Sequence, residues 1–131
     1  MIDHIDNVGV GVSDLGRALD FYRRLGFDVL EQEEATPSAT LQAGSVRLWV
    51  FRGRGGSQGT RAPDPAANPP GIDHLSLWVE DVDLAYEALT GKGLEFESDP
   101  ADQSWGARST SLVDPDGTRI YLLGPLRGRP A

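Results

Sequence analysis

The feature that most restricts how this chain can fold is an internal duplication. Ile5-Asp6-Asn7-Val8-Gly9-Val10-Gly11-Val12-Ser13-Asp14 lies over Ile72-Asp73-His74-Leu75-Ser76-Leu77-Trp78-Val79-Glu80-Asp81 with a constant offset of 67 (Ile5 onto Ile72). Each segment runs into a helix. Asp14 can cap one with Leu15, Ala18, Leu19, Tyr22 and Leu25 on a single face, stopped by Gly26. Asp81 can do the same for Val82, Ala85, Tyr86 and Leu89, with Gly91 and Gly93 at the end. The offset survives the helices, because Gly26 falls on Gly93 and Phe27 on Leu94.

After each helix come short apolar runs separated by turn residues, which read as antiparallel strands. In the first copy these are Phe27–Glu33, Ser38–Gln42 and Ser45–Arg52; in the second, Leu94–Glu97, Arg108–Val113 and Arg119–Gly124. Asp114-Pro115-Asp116-Gly117 is a strong turn between the last two. The sequence therefore predicts an α+β chain of two tandem βαβββ modules, residues 1–52 and 72–131. Residues 53–71 are too rich in glycine and proline for a regular element and read as a linker, or as a lid over a pocket.

A chain of 131 residues buries about two-thirds of its unfolded surface and needs no staple to fold. There is none to use: with no cysteine, thiolate catalysis, disulfides and cysteine zinc sites are excluded, which fits a reducing, cytoplasmic setting. The start, Met1-Ile2-Asp3-His4, carries no secretion signal, and no apolar run approaches the roughly 18 residues a membrane span needs. The net charge of −8 repels nucleic acid and anionic lipid and favours a neutral or cationic ligand.

Strand alternation assigns the two faces of each sheet. Val8/Val10/Val12, Val46/Leu48/Val50, Leu75/Leu77/Val79 and Ile120/Leu122 are apolar and should pack under the helices. The opposite set, Asn7/Gly9/Gly11, Arg47/Trp49/Phe51, His74/Ser76/Trp78 and Arg119/Tyr121/Leu123, mixes polar and aromatic groups and suits a ligand cavity in a groove shared by the two copies. Burial of Trp49 and Trp78 in a dimer interface is the alternative. His4, three residues before Asn7, is expected on the other face from it.

The paired strand openings resemble those of the vicinal oxygen chelate superfamily, which spans glyoxalase I, extradiol dioxygenases, epimerases, fosfomycin-resistance enzymes and bleomycin-resistance proteins. So do Asp14-Leu15-Gly16-Arg17-Ala18-Leu19-Asp20-Phe21-Tyr22 with Leu25-Gly26-Phe27, and Asp114-Pro115-Asp116-Gly117-Thr118-Arg119-Ile120-Tyr121-Leu122. The resemblance runs from Ile5 to Gly124 and implies a glyoxalase-like curved mixed sheet. In enzymes of the family one divalent metal is held by a His in each opening strand and a carboxylate in each closing strand. The matching positions here are Asn7, Trp49 (Arg47 if the strand slips by two), His74 and Tyr121. Only His74 is a customary ligand, and a hard divalent ion needs more anionic or imidazole donors than this, so neither metal nor other cofactor is expected.

Ser104-Trp105-Gly106-Ala107-Arg108 is similar to a Trp-Gly-x-Arg stretch that borders the ligand groove in bleomycin-resistance-type members. The resemblance thus adds Trp105 and Arg108 to the candidate ligand-binding residues Asn7, Arg47, Trp49, Phe51, His74, Trp78 and Tyr121. The aromatic ones would wall in a planar or cationic group, while Arg47 and Arg108 would favour an anionic handle, unless Arg108 is held in an ion pair. His74 reads as a hydrogen-bonded groove residue, a ligand contact or a general base, with no carboxylate at a matching position to orient it. No P-loop, dinucleotide-binding glycine motif or nucleophile elbow is present. The expected function is a metal-free, homodimeric binder that sequesters an aromatic or cationic small molecule such as an antibiotic or a pathway intermediate. The rival is an enzyme of the same fold, a lyase, isomerase or dioxygenase, using His74 as acid or base or an unusual metal set.

Overall fold

The computed structural model describes residues 1–53 and 70–128. Most of the expected 53–71 linker, and with it the lid alternative, lies outside the described residues. The chain divides into two compact units, Met1–Gly59 and Thr60–Ala131.

The first unit runs β1 (Val8–Val12), α1 (Leu15–Leu25), β2 (Asp28–Glu33), β3 (Ser38–Ala43) and β4 (Val46–Arg52), with sheet order β1-β4-β3-β2. The second runs β5 (His74–Trp78), α2 (Val82–Gly91), β6 (Ala101–Asp102), β7 (Arg108–Val113) and β8 (Arg119–Gly124), with order β5-β8-β7-β6. In both units the opening strand pairs parallel with the closing one and the remaining pairs are antiparallel. The fold is α+β, two mixed four-stranded sheets each with one helix.

The duplication holds down to single hydrogen bonds. Asp14 Oδ1 accepts from the Arg17 amide and Asp81 Oδ1 from the Leu84 amide, both at 3.1 Å, which supplies each helix with its N-terminal acceptor. At the other end the Phe27 amide donates to the Tyr22 carbonyl (2.9 Å) and the Leu94 amide to the Leu89 carbonyl (3.2 Å), while Gly26 (φ 121°) and Gly93 (φ 89°) take the left-handed turn that ends each helix.

Part of the set that alternation assigned to the helix side forms the core, whereas Val8, Val46, Leu75, Leu77 and Val79 are only half-buried. Leu48, Val50 and Ile120 have no exposed surface, and Val10, Val12 and Leu122 have almost none. Leu41 and Leu112, opposite Leu48 and Ile120 in the antiparallel pairing, are equally buried. Tyr22 on α1 is fully buried, with Phe21 and Phe27 edge-on at 5.1 and 5.9 Å; Phe21, absent from the expected apolar face, is buried as well. Asp114, 3% exposed, ties its turn through Oδ1 to the amides of Asp116 (2.9 Å) and Thr118 (2.8 Å).

Two expectations fail. Leu94–Glu97 is not a strand: Leu94 is consumed in stopping α2 and is buried there, and Phe96 packs on Tyr86 at 4.9 Å. The segment's backbone meets β7 through the Glu97 amide, which donates to the Ser111 carbonyl (2.8 Å), and the edge strand comes later as β6. The alternation argument for His4 also lapses, because β1 begins at Val8 and residues 1–7 lie outside any strand.

Candidate functional site

In the first unit the open face is built around glycine. Gly9 stands opposite Trp49 and Gly11 opposite Phe51 in the parallel pairing, so β1 presents no side chain where the two rings lie. A Cβ on Gly9 would sit 3.7 Å from Phe51 Cε1 and 3.9 Å from Trp49 Cε3. The rings stack on each other, centroids 4.6 Å apart and planes 27° from parallel, and Trp49 keeps 44% of its surface exposed. The antiparallel register adds Ser38, Thr40 and Gln42 from β3 to this face, opposite Phe51, Trp49 and Arg47. Arg47 is exposed and donates from Nε and Nη2 to Gln42 Oε1 (3.3 and 2.9 Å). Asn7 lies just before β1 and spends its amide on Asp6 Oδ2 (2.9 Å).

In the second unit the corresponding face carries His74 and Trp78 from β5 and Arg119 and Tyr121 from β8. His74 meets Tyr121 edge-on, centroids 4.7 Å apart, and Trp78 is 65% exposed. The expectation that no carboxylate orients His74 is overturned: Asp73 Oδ2 lies 2.7 Å from His74 Nδ1. Asp73 precedes β5, so the pleat does not hold its side chain to the opposite face. Arg119 is bound by Glu97 through Nε–Oε1 and Nη2–Oε2, both 2.8 Å, and Ser111 Oγ donates to Glu97 Oε1 at 2.8 Å. The Arg119 guanidinium holds the Glu97 carboxyl below its ordinary range, with burial opposing and Ser111 assisting.

Arg108 is not on this face. It pairs with Gly124, which puts it on the same side as Thr110 and Leu112 and toward α2. There it grips Asp83 through Nε–Oδ2 (2.7 Å) and Nη2–Oδ1 (3.0 Å), Asp102 through Nη1 (3.2 Å) and the Pro100 carbonyl through Nη2 (3.2 Å). These bonds depress the Asp83 carboxyl, and the Arg127 and Gly128 amides do the same for Asp102. The guanidinium is thus held in ion pairs, the alternative left open for Arg108. The cavity beside it, about 310 Å³, is lined by Glu80, Leu84, Glu87 and Arg127 among others, again on the helix side. Trp105 sits in the β6–β7 turn, 63% exposed, and not on a strand.

Residues 2–122 match the family model of the Glyoxalase/Bleomycin resistance protein/Dioxygenase superfamily. The chain belongs to this superfamily. It is 27% identical over 123 residues to the bleomycin resistance protein of Klebsiella pneumoniae, an alignment covering 84% of this chain and 83% of that one. Among solved structures it resembles the glyoxalase family protein from Enterococcus faecalis (TM-score 0.75, 27% identity, 92% of this chain and 96% of that one). It also resembles TnmS3, an antibiotic binding protein from Streptomyces sp. CB03234 (TM-score 0.70, 27% identity, 95% and 97%).

The resemblance points to four positions for a metal, and the register shows how they correspond between the two units. Gly9 pairs with Trp49 and Ser76 with Tyr121, so Trp49 and Tyr121 are equivalent, as are Asn7 and His74. An indole offers no lone pair, a phenol binds a metal only as phenolate, and Asn7, whose nitrogen donates to Asp6, offers only a neutral amide oxygen. Glu97, the carboxylate of this network, already accepts three hydrogen bonds from Arg119 and Ser111 and is neutralised by the Arg119 guanidinium. This donor set does not fit a divalent ion.

Proposed function

We propose that the chain is a small-molecule-binding protein that holds an aromatic or cationic ligand, of the antibiotic class, against the open faces of its sheets without a metal ion. The observation that carries this reading is the Trp49–Phe51 stack laid over Gly9, with a ring at the equivalent position, Tyr121, in the second unit. Rings held by a sheet and left open on one side offer flat, low-entropy contact area. Each stacking or cation–π contact contributes on the order of 0.5–2 kcal/mol. The names of the Klebsiella and Streptomyces relatives support the ligand class.

Tryptophan fluorescence titration tests it, with bleomycin as the first probe and a panel of planar antibiotics after it. Saturable quenching that weakens in Trp49→Ala is the expected result; no quenching by any of them would remove the reading. Metal analysis of protein purified without chelator addresses the remainder, since a stoichiometric divalent ion would contradict it. Each sheet ends in edge strands, β1 and β2 or β5 and β6, and covering such edges favours a homodimer. Sedimentation at micromolar concentration should therefore give the mass of two chains.

One observation favours a second reading. A base oriented by a carboxylate is the arrangement general acid–base catalysis uses, and Asp73–His74 has it at 2.7 Å. An enzymatic role predicts that His74→Ala abolishes turnover of a candidate substrate while leaving its affinity near normal.

A further inference from the structure

We propose that Asp73 fixes the hydrogen-bonding polarity of His74, so that the open face of the second unit selects planar ligands carrying an N–H or O–H donor. This deepens the binding reading and rests on it. A carboxylate can only accept, so the 2.7 Å contact to Asp73 Oδ2 places the proton on His74 Nδ1. In the neutral ring Nε2 is then a bare acceptor. Turning the ring over would set a carbon against Asp73 and lose the bond, and the edge-on contact with Tyr121 holds the ring from a second side.

The charged groups of this face, Arg119 and Glu97, are engaged with each other. Arg119 donates two hydrogen bonds of 2.8 Å to Glu97, and Ser111 donates a third. A ligand lying against Tyr121 and His74 therefore meets an acceptor of fixed direction at His74 Nε2, beside a Tyr121 hydroxyl that can rotate to donate or accept. A buried acceptor left unpaired costs about as much as a hydrogen bond gained. The chain contains its own control. His4 makes the same 2.7 Å bond to Asp3, but before β1, with its side chain 71% exposed.

The test compares 2-naphthol with 2-methoxynaphthalene, two probes of the same ring system that differ in the donor. Calorimetric titration of the native protein should favour 2-naphthol by about tenfold. Asp73→Ala and His74→Phe should bring the ratio close to one, and His4→Phe should leave it unchanged. Both Asp73 and His74 are partly exposed, at 41% and 38% of their side chains, so the variants should fold. Nitrogen-detected NMR of the imidazoles in mildly alkaline buffer reads the tautomer without any ligand, and should show a protonated Nδ1 for His74 that Asp73→Ala shifts. An unprotonated Nδ1, equal binding of the two probes, or a preference that survives Asp73→Ala would each overturn the inference while leaving aromatic binding intact. If neither probe binds, the binding reading fails and takes this inference with it.

Discussion

Trp49 and Tyr121 occupy one structural position in the two units, Trp49 facing Gly9 and Tyr121 facing Ser76 across a parallel strand pair. The two rings have different neighbours. Trp49 stacks on Phe51, whereas beside Tyr121 it is His74 that meets the ring, edge-on. Trp49→Ala should therefore weaken a planar ligand by about three- to tenfold. Its cost to folding should be about 1 kcal/mol, because the ring lies outside the core and is 44% exposed. Fluorescence titration and thermal melting on the same sample check both halves.

Arg108 makes the opposite prediction. Its side chain is 14% exposed and every bond it makes is to Asp83, Asp102 or Pro100. Arg108→Ala leaves Asp83, itself 26% exposed, with only the more exposed Arg127 (Nη1–Oδ1 3.2 Å) as counter-charge, and should cost about 1–2 kcal/mol. Ligand affinity should not change. A large loss of affinity with unchanged melting would return Arg108 to the binding face.

These two residues show how much of the site was legible in the sequence. Alternation placed Trp49, Phe51 and Tyr121 correctly because the strands carrying them have a clear apolar parity in Leu48/Val50 and Ile120/Leu122. The same rule applied to β7 places Arg108 with Leu112 and away from Ser109 and Ser111; only the Trp-Gly-x-Arg resemblance points it to the groove, with an ion pair left as the alternative. Asp73 was missed for another reason. Adjacent residues of a strand point to opposite faces, but β5 begins at His74, and nothing in the pattern marks that boundary. The Leu94–Glu97 run misled because its apolar residues serve the end of α2 and the Tyr86 ring, contacts made in three dimensions that mimic a strand's alternation.

Acid should unfold the second unit through identifiable groups. Asp83, Glu97 and Asp102 all have carboxyls held below their ordinary values of 3.8, 4.5 and 3.8 by arginines and backbone amides. A depressed carboxyl stabilises the fold at every pH above its unfolded value, and that contribution is lost as pH falls toward the lower folded value. Melting temperature should thus be insensitive to these groups above about pH 5 and drop steeply below about pH 4. In Glu97→Gln the drop should be shallower and the neutral-pH melting temperature lower. A native profile that stays flat from about pH 5 to pH 3 would count against the network.

Gly124, the last residue of β8, tests how the closing strand passes the start of α2. A Cβ there would lie 2.8 Å from the Val79 carbonyl oxygen and 2.9 Å from Val82 Cγ2. Val82 is 1% exposed, and the chain before it is fixed by the Val79 amide donating to the Leu123 carbonyl at 2.8 Å, so the clash cannot be relieved by turning a free side chain. Gly124→Ala should cost about 1–3 kcal/mol, as overpacking does. Gly9→Ala supplies the contrast: its new methyl would meet Phe51 and Trp49 at 3.7 and 3.9 Å, ordinary contact distances, and should leave stability much closer to that of the native protein. If denaturant melts show Gly9→Ala to be the more damaging of the two, the closeness of β8 to the start of α2 is wrong.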